Sequence, residues 1–196
     1  MSERSDAETA EILEARAEFH EAYGAFMMHW AALEHSLGAW FTRLSGMPVR
    51  RSAAVFYSAK NFAGRADLVE AIMPHCEVEQ EYLNLLRQCI KRARQYNSFR
   101  NSVAHGQSIY GAFPRGSEER FVLIPGGPPA YVRQENVIAV HQLQTAARNV
   151  GWLGHFMREA DFHRRGTGRG APPQKCLEQV LALPNRADQI PLDPSP

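Results

Sequence analysis

The segment spanning residues 100–106 combines three kinds of side chain that could act together on a phosphodiester. Arg100 supplies a permanent cation, Asn101 an amide, and His105 an imidazole, a group that ordinarily titrates near neutral pH. Attack on phosphorus by an RNA 2′-hydroxyl needs a base, an acid and a fixed cation for the developing charge, and it requires no metal ion. The segment is therefore the candidate catalytic site.

The spacing within this segment suggests how the three side chains relate to one another. Asn101 and His105 are four residues apart, so on a helix the amide can orient the imidazole or share a ligand with it. His105 falls at the end of a predicted helix, where the helix dipole favours the imidazolium, and Gly106 is predicted to end that helix in a left-handed turn. Arg100 points along the apolar stripe, so it and His105 are expected to flank a groove edge.

Locally basic sequence surrounds the segment, although the whole chain carries a formal net charge of only +1. No acidic residue lies between Glu81 and Glu118. The polar stripe that holds Asn101 and His105 also carries the residues predicted to bind RNA, namely Arg87, Lys91, Arg94 and Ser98. A solvated helix face is the alternative explanation of this cluster.

Apolar periodicity predicts a mainly all-α fold, a bundle of four to five helices. Residues recur at steps of three and four over 5–45, 49–59, 62–73, 77–104 and 134–164. Between the last two helices the pattern changes to short β-branched or aromatic runs at 108–112, 120–124 and 130–133. These runs predict a small β-hairpin or meander inserted at about 107–133, before the last long helix.

The chain divides into a helical domain at 1–165 and a Gly- and Pro-rich tail at 166–196, with a candidate short helix at 174–183. No apolar run approaches the roughly 18 residues of a membrane span, and the first residues are polar, so we expect a cytoplasmic protein without a membrane partner. The three cysteines lack Cys-x-x-Cys pairing and the eight histidines lack metal-ligand spacing. We therefore predict no metal and no cofactor.

Glu34 departs from the pattern of the first helix because it lies near the middle of the apolar stripe. Arg100 does the same on the helix at 77–104. Because a lone buried charge of either sign costs several kcal/mol, the two are expected to pair, with Glu34 supporting the orientation of Arg100. The alternative is that the stripe drifts and both side chains reach water separately.

An Arg, four intervening residues and a His, with a polar residue directly after the Arg, resembles the Arg-x(4–6)-His motif of the HEPN superfamily. That superfamily comprises all-helical dimers and includes many metal-independent endoribonucleases. The resemblance implies a homodimer in which two protomers form one composite cleft for RNA. Within it Arg100 would stabilise charge, His105 would act as acid or base, and Asn101 would be the positioning residue.

The resemblance also implies a role in a toxin–antitoxin system or phage defence, with an antitoxin or another regulatory protein as partner. Gln107 stands where HEPN toxins silenced by nucleotidyltransferase partners carry a Tyr, which argues against that particular antitoxin mechanism. A second function stays open: a noncatalytic HEPN-like module for RNA binding or dimerisation. In that case Arg100 only neutralises a buried carboxylate and His105 only caps its helix.

Overall fold

The computed structural model describes residues 6–112, 119–124, 137–167 and 170–184. Within these ranges the chain is predominantly helical, which confirms the predicted class. In chain order the elements are α1 (Asp6–Ser45), α2 (Val49–Ser58), α3 (Phe62–Ile72), a 3-10 turn (Met73–His75), α4 (Gln80–Ala104), β1 (Gln107–Ala112), β2 (Glu119–Ile124), β3 (Ile138–Ala139), α5 (Val140–Arg164) and α6 (Pro173–Ala182).

Helix α1 is the centre of the bundle, and α5 lies beside it along much of its length. The apolar residues of α1 recur at steps of three and four and form one stripe. The fully buried members of this stripe include Phe26, Trp30, Leu33 and Leu37. The indole Nε1 of Trp40 donates to the Met157 carbonyl at 3.0 Å, which joins the two helices further along. Gly46 ends α1 with a φ of 62°, a left-handed conformation that glycine adopts without steric cost.

Helices α2 and α3 pack against the second half of α1. Gly38 permits the close approach of α2, because a Cβ at this position would lie 3.1 Å from Phe56 Cε1. Asn61 caps α3, since its side-chain Oδ1 accepts a hydrogen bond from the Gly64 N–H at 2.9 Å. This bond fixes the start of α3 directly after the short loop that follows α2.

The strands form one antiparallel sheet in the order β1-β2-β3. Strands β1 and β2 pair from Gln107↔Ile124 to Ala112↔Glu119, and β2 pairs with β3 through Leu123↔Ile138. The last long helix therefore begins at Val140, and the predicted start at 134 is wrong, because Ile138 and Ala139 complete the β2 edge instead of a helical turn. The strand predicted at 130–133 lies outside the described residues.

Gly106 ends α4 for a different reason from the predicted left-handed turn. Among the described glycines only Gly46, Gly166 and Gly170 have a positive φ. At Gly106 a Cβ would lie 2.7 Å from both the Leu123 Cγ and the Ser102 carbonyl oxygen. Glycine is thus required here by the close approach of β2 to the end of α4.

Helix α6, predicted as a short helix within the tail, packs against α4 and α5. Cys176 and Val180 are fully buried by this contact. The guanidinium of Arg92, a buried residue of α4, donates from Nη2 to the Leu181 carbonyl at 3.1 Å. The end of the described chain therefore contributes to the same hydrophobic core as the bundle.

Within the described ranges, no helix is both long and apolar enough to cross a membrane. No group of three His, Cys, Asp or Glu side chains in these ranges could hold a metal ion. The three cysteines are free thiols, with Cys89 and Cys176 buried and Cys76 half-buried.

Candidate functional site

Arg100 and Asn101 line a cavity of about 210 Å³ where α4 meets α1 and the start of α3. Its polar lining comes from four parts of the chain: Glu34, Lys60, Asn61, Arg65, Asn97, Arg100 and Asn101. We call it the arginine cavity. Three of these side chains are cationic and one is a carboxylate, so the cavity is suited to an anion.

Arg65 is held in place at the wall of the arginine cavity by three contacts. Its Nη1 lies 3.0 Å from Glu34 Oε2, and both side chains are only 17% exposed. Its Nε donates to the Ala59 carbonyl at 3.2 Å, and its guanidinium carbon lies 5.2 Å from the centre of the Tyr57 ring. Arg65 therefore presents its charge to the cavity in a fixed orientation.

The predicted ion pair between Glu34 and Arg100 is wrong. Glu34 is half-buried and pairs with a cation, as expected, but that cation is Arg65. The packing of the helices explains this choice of partner, because α3 packs directly on α1 and brings Arg65 to the Glu34 carboxylate. Glu34 and Arg100 nevertheless line the same cavity.

Arg100 makes no ion pair with any carboxylate in the described residues. Its Nη1 donates to the Asn101 side-chain Oδ1 at 3.2 Å, and its buried Nε has no hydrogen-bond acceptor among them. This Nε is shielded from solvent, so an incoming anion would bind at the Nη nitrogens of the guanidinium. The guanidinium is therefore available for an oxyanion.

Besides Arg65, three polar residues of the cavity were not predicted as site residues. Asn97 lies three and four residues before Arg100 and Asn101, a helical spacing that could have revealed it in the sequence. Lys60 and Asn61 come from the loop before α3, and the first residues of α3 also line the cavity. Only the packing of α3 brings them to α4, and the positive end of the α3 dipole adds to the cationic field.

His105 lies outside the arginine cavity. It is an exposed residue at the C-terminal cap of α4, and its backbone N–H donates to the Asn101 carbonyl at 3.1 Å. Five residues along a helix place it about 7.5 Å further along the axis than Arg100 and about 140° around it. The structure thus brings Arg100 and Asn101 together and leaves the imidazole of the same chain on the outer surface.

The predicted RNA-binding stripe follows the outer face of α4. Arg94 donates from Nη2 to Asp67 and Glu70 of α3, at 2.6 Å in each case, so two carboxylates compensate its charge. Arg87 donates to the neutral Asn84 side chain at 3.0 Å, and both Lys91 and Ser98 are exposed. The stripe therefore retains two cations, fewer than the sequence alone indicates.

The arginine cavity can bind and orient a phosphate, because it offers guanidinium, ammonium and amide N–H donors within a half-enclosed space. Its one carboxylate is engaged by Arg65. Comparison with protein-family models, with curated proteins and with solved structures found no match to this chain.

Proposed function

We propose that this chain is a metal-independent endoribonuclease of the HEPN type, acting on RNA at a composite site in a homodimer. The observation that carries the proposal is the Arg100 guanidinium, which lines a cationic cavity without a carboxylate partner among the described residues. Such a group can hold two oxygens of a scissile phosphate and stabilise the charge that develops on it.

The proposed reaction uses an acid and a base at the two ends of a displacement on phosphorus. The 2′-hydroxyl loses its proton to a base and its oxygen bonds to phosphorus, while the bond from phosphorus to the 5′-oxygen breaks. An acid then protonates that oxygen, which leaves a 2′,3′-cyclic phosphate and a 5′-hydroxyl. His105 is the residue proposed to take or give the proton, and Asn101 positions the Arg100 guanidinium.

The position of His105 explains why the proposal requires two protomers. Within one chain the imidazole lies on the outer surface, beyond the cavity that Arg100 lines. A two-fold contact between the ends of two α4 helices would place the imidazole of each chain next to the arginine cavity of the other. The homodimer would thereby supply a proton donor, a proton acceptor and two guanidinium groups.

An endoribonuclease in the cytoplasm would meet cellular RNA, so we propose a toxin or phage-defence role with an antitoxin or regulatory protein as partner. The exposed position of His105 also favours a second candidate, a noncatalytic RNA-binding or dimerisation module. Both candidate functions would use the same cations to bind RNA, and an assay for RNA cleavage distinguishes one function from the other.

The decisive experiment is to incubate the purified protein with total RNA in the presence of EDTA. We expect fragments with 2′,3′-cyclic phosphate and 5′-hydroxyl ends, lost in both Arg100→Ala and His105→Ala. Matched controls are Arg50→Ala and His75→Ala, which remove exposed side chains outside the cavity. Products with 5′-phosphate ends, or a strict need for a divalent metal, would overturn the mechanism. RNA binding without cleavage would establish the noncatalytic module.

Mixing the two inactive variants tests the composite site. Random exchange of subunits between Arg100→Ala and His105→Ala homodimers yields about half heterodimers, each of which retains one intact Arg and one intact His on different chains. Partial recovery of cleavage after mixing supports a site shared between protomers. A chain that stays monomeric under cleaving conditions would contradict it.

A further inference from the structure

A second and larger cavity, of about 600 Å³, opens between α1 and α5. We call it the α1–α5 groove. Its volume falls within the range of about 300–1,000 Å³ that is typical of small-molecule sites. Small residues of the two helices leave this space: Ala22, Ala25, Ala32, Ala147 and Gly151.

The His29 ring is fixed inside this groove by a contact across the helices. Its Nδ1 lies 2.7 Å from the Ala147 carbonyl oxygen, which can only accept a hydrogen bond, so Nδ1 carries the proton. In the neutral ring Nε2 then remains an acceptor. Gly151 makes room for the ring, because a Cβ there would lie 2.8 Å from His29 Nδ1.

Trp152 provides a flat aromatic surface at the groove. Its side chain is 45% exposed, in contrast to the buried Trp30 and Trp40. The indole stacks on Phe156, with 5.6 Å between ring centres and an interplanar angle of 18°, and the His155 ring contacts it edge-on at 5.3 Å. Because packing on one side holds the indole, its other face can stack on a planar ligand at little entropic cost.

The groove carries two cations near this indole. Arg148 and Arg158 lie four residues before and six residues after Trp152 on α5, and both are exposed. Among the described residues, Arg158 donates only to a neutral group, the Ser36 hydroxyl at 3.3 Å, and Arg148 forms no ion pair. Both charges are therefore available to an anionic ligand.

Glu18 and Glu21 line the end of the groove opposite Arg158, and Glu18 Oε1 accepts a hydrogen bond from Gln144 Nε2 at 3.1 Å, one turn before Arg148. Helices α1 and α5 run in the same direction, because His29 contacts Ala147 and Ser36 contacts Gly154. Glu21 is therefore about 22 Å along the helix axis from Ser36, where Arg158 is bound. The end of the groove with Trp152 and Arg158 is the cationic end.

From these contacts we infer that the α1–α5 groove binds a nucleoside phosphate. The base stacks on Trp152, the phosphate is bound by Arg148 or Arg158, and Nε2 of His29 accepts a hydrogen bond from a ribose hydroxyl or a base N–H. A free mononucleotide and the phosphorylated end of an RNA chain present the same chemistry. The inference does not rest on the proposed nuclease activity, because His29 and Glu34 face different sides of α1.

Calorimetric titration with AMP, adenosine, ribose 5-phosphate and a short 5′-phosphorylated RNA tests this inference. AMP is expected to bind at least about ten-fold more tightly than adenosine or ribose 5-phosphate, since each of these lacks one of the two contacts and a contact worth about 1.4 kcal/mol changes affinity ten-fold. Trp152→Leu and the double variant Arg148→Ala/Arg158→Ala are expected to lose a similar factor. The matched control Arg50→Ala/Arg51→Ala removes two exposed cations of α2 and should bind AMP as the wild type does.

The relative affinities of these ligands show whether the groove binds a free nucleotide or an RNA end, and whether it binds a nucleoside phosphate at all. Measured in the Arg100→Ala/His105→Ala background, tighter binding of the RNA than of AMP that is lost with Trp152→Leu assigns the groove to an RNA end, and the reverse order assigns it to a free nucleotide. Equal binding of ribose 5-phosphate and AMP, or no binding of AMP at all, would overturn the inference. The double variant Arg100→Ala/His105→Ala should bind AMP normally, so a failure of the nuclease proposal leaves this result unchanged.

Discussion

The Glu34 carboxylate and the Arg65 guanidinium form an ion pair, with 3.0 Å between Oε2 and Nη1, at the wall of the cavity that Arg100 also lines. Because this pair uses the one carboxylate among the described lining residues, the charges of Arg100 and Lys60 remain uncompensated there. With three cationic side chains and one carboxylate, the cavity is cationic overall, and the pair leaves the excess charge on Arg100 and Lys60. This relationship is the structural basis for proposing a phosphate ligand.

Double-mutant cycles should show that Glu34 is coupled to Arg65 more strongly than to Arg100. We expect a coupling free energy of about 1 kcal/mol between Glu34→Gln and Arg65→Met, because the pair is largely buried and hydrogen-bonded. The cycle with Arg100→Met should give a clearly smaller value. Urea unfolding measures both cycles, and equal couplings would contradict the assignment of the pair.

Tyr96→Phe should destabilise the fold by about 1–2 kcal/mol, because it leaves the buried Asn149 amide without its acceptor. The Asn149 Nδ2 donates to the Tyr96 hydroxyl at 3.0 Å, and the Tyr96 side chain is fully buried. The control Tyr23→Phe removes a hydroxyl that makes no hydrogen bond to a described residue and should change stability by less than about 0.5 kcal/mol. Comparable losses in the two variants, measured by urea unfolding, would refute the prediction.

Ionisation of Tyr96 should lower the stability of the wild-type fold at alkaline pH. Burial raises the pKa of Tyr96 above the ordinary tyrosine value of 10.0, while the hydrogen bond from Asn149 acts in the opposite direction. The unfolded chain therefore ionises first, so the stability linked to this group is present below about pH 10 and is lost as the pH rises through the folded-state pKa. Unfolding measured from pH 8 to 11 should show the gap between wild type and Tyr96→Phe shrinking, and a constant gap would exclude this linkage.

Two glycines of helix interiors should respond oppositely to alanine. At Gly24 a Cβ would meet no atom within 4 Å, so Gly24→Ala should stabilise the fold by about 0.5–1 kcal/mol through helix propensity. At Gly151 the new methyl group would displace His29 and break its hydrogen bond to Ala147, which cancels or reverses that gain. Thermal unfolding compares the two, and an equal rise in Tm would show that the His29 ring is not fixed there.

The three thiols should differ sharply in reactivity. Burial raises the pKa of both the Cys89 and the Cys176 thiols, so neither forms the nucleophilic thiolate in the native state. Cys76 is only half-buried and should react alone with a thiol reagent at pH 8, a reaction that Cys76→Ser abolishes. Rapid reaction of a second thiol in the native protein would mean that α6 detaches from α4 and α5.

Local sequence patterns predict the helices, apart from the start of α5, and the first two strands, because the signals of these elements are local. The three-and-four spacing of apolar residues describes contacts one turn apart, and it predicts α1 and α4 closely. The same helical geometry makes Arg100 and Asn101 neighbours and places His105 one turn or more beyond them. These features need no knowledge of what packs against each helix.

Contacts between elements depend on how the elements pack, which a local pattern does not encode. Periodicity shows that Glu34 needs a cation, but the choice of Arg65 over Arg100 depends on how α3 lies across α1. In the same way, Ile138 joins the sheet because the β2 edge offers it backbone partners, whatever its own helical spacing. The α1–α5 groove arises where small residues of α1 face small residues of α5, more than 100 positions away in the chain. A local pattern carries no information about such a pairing.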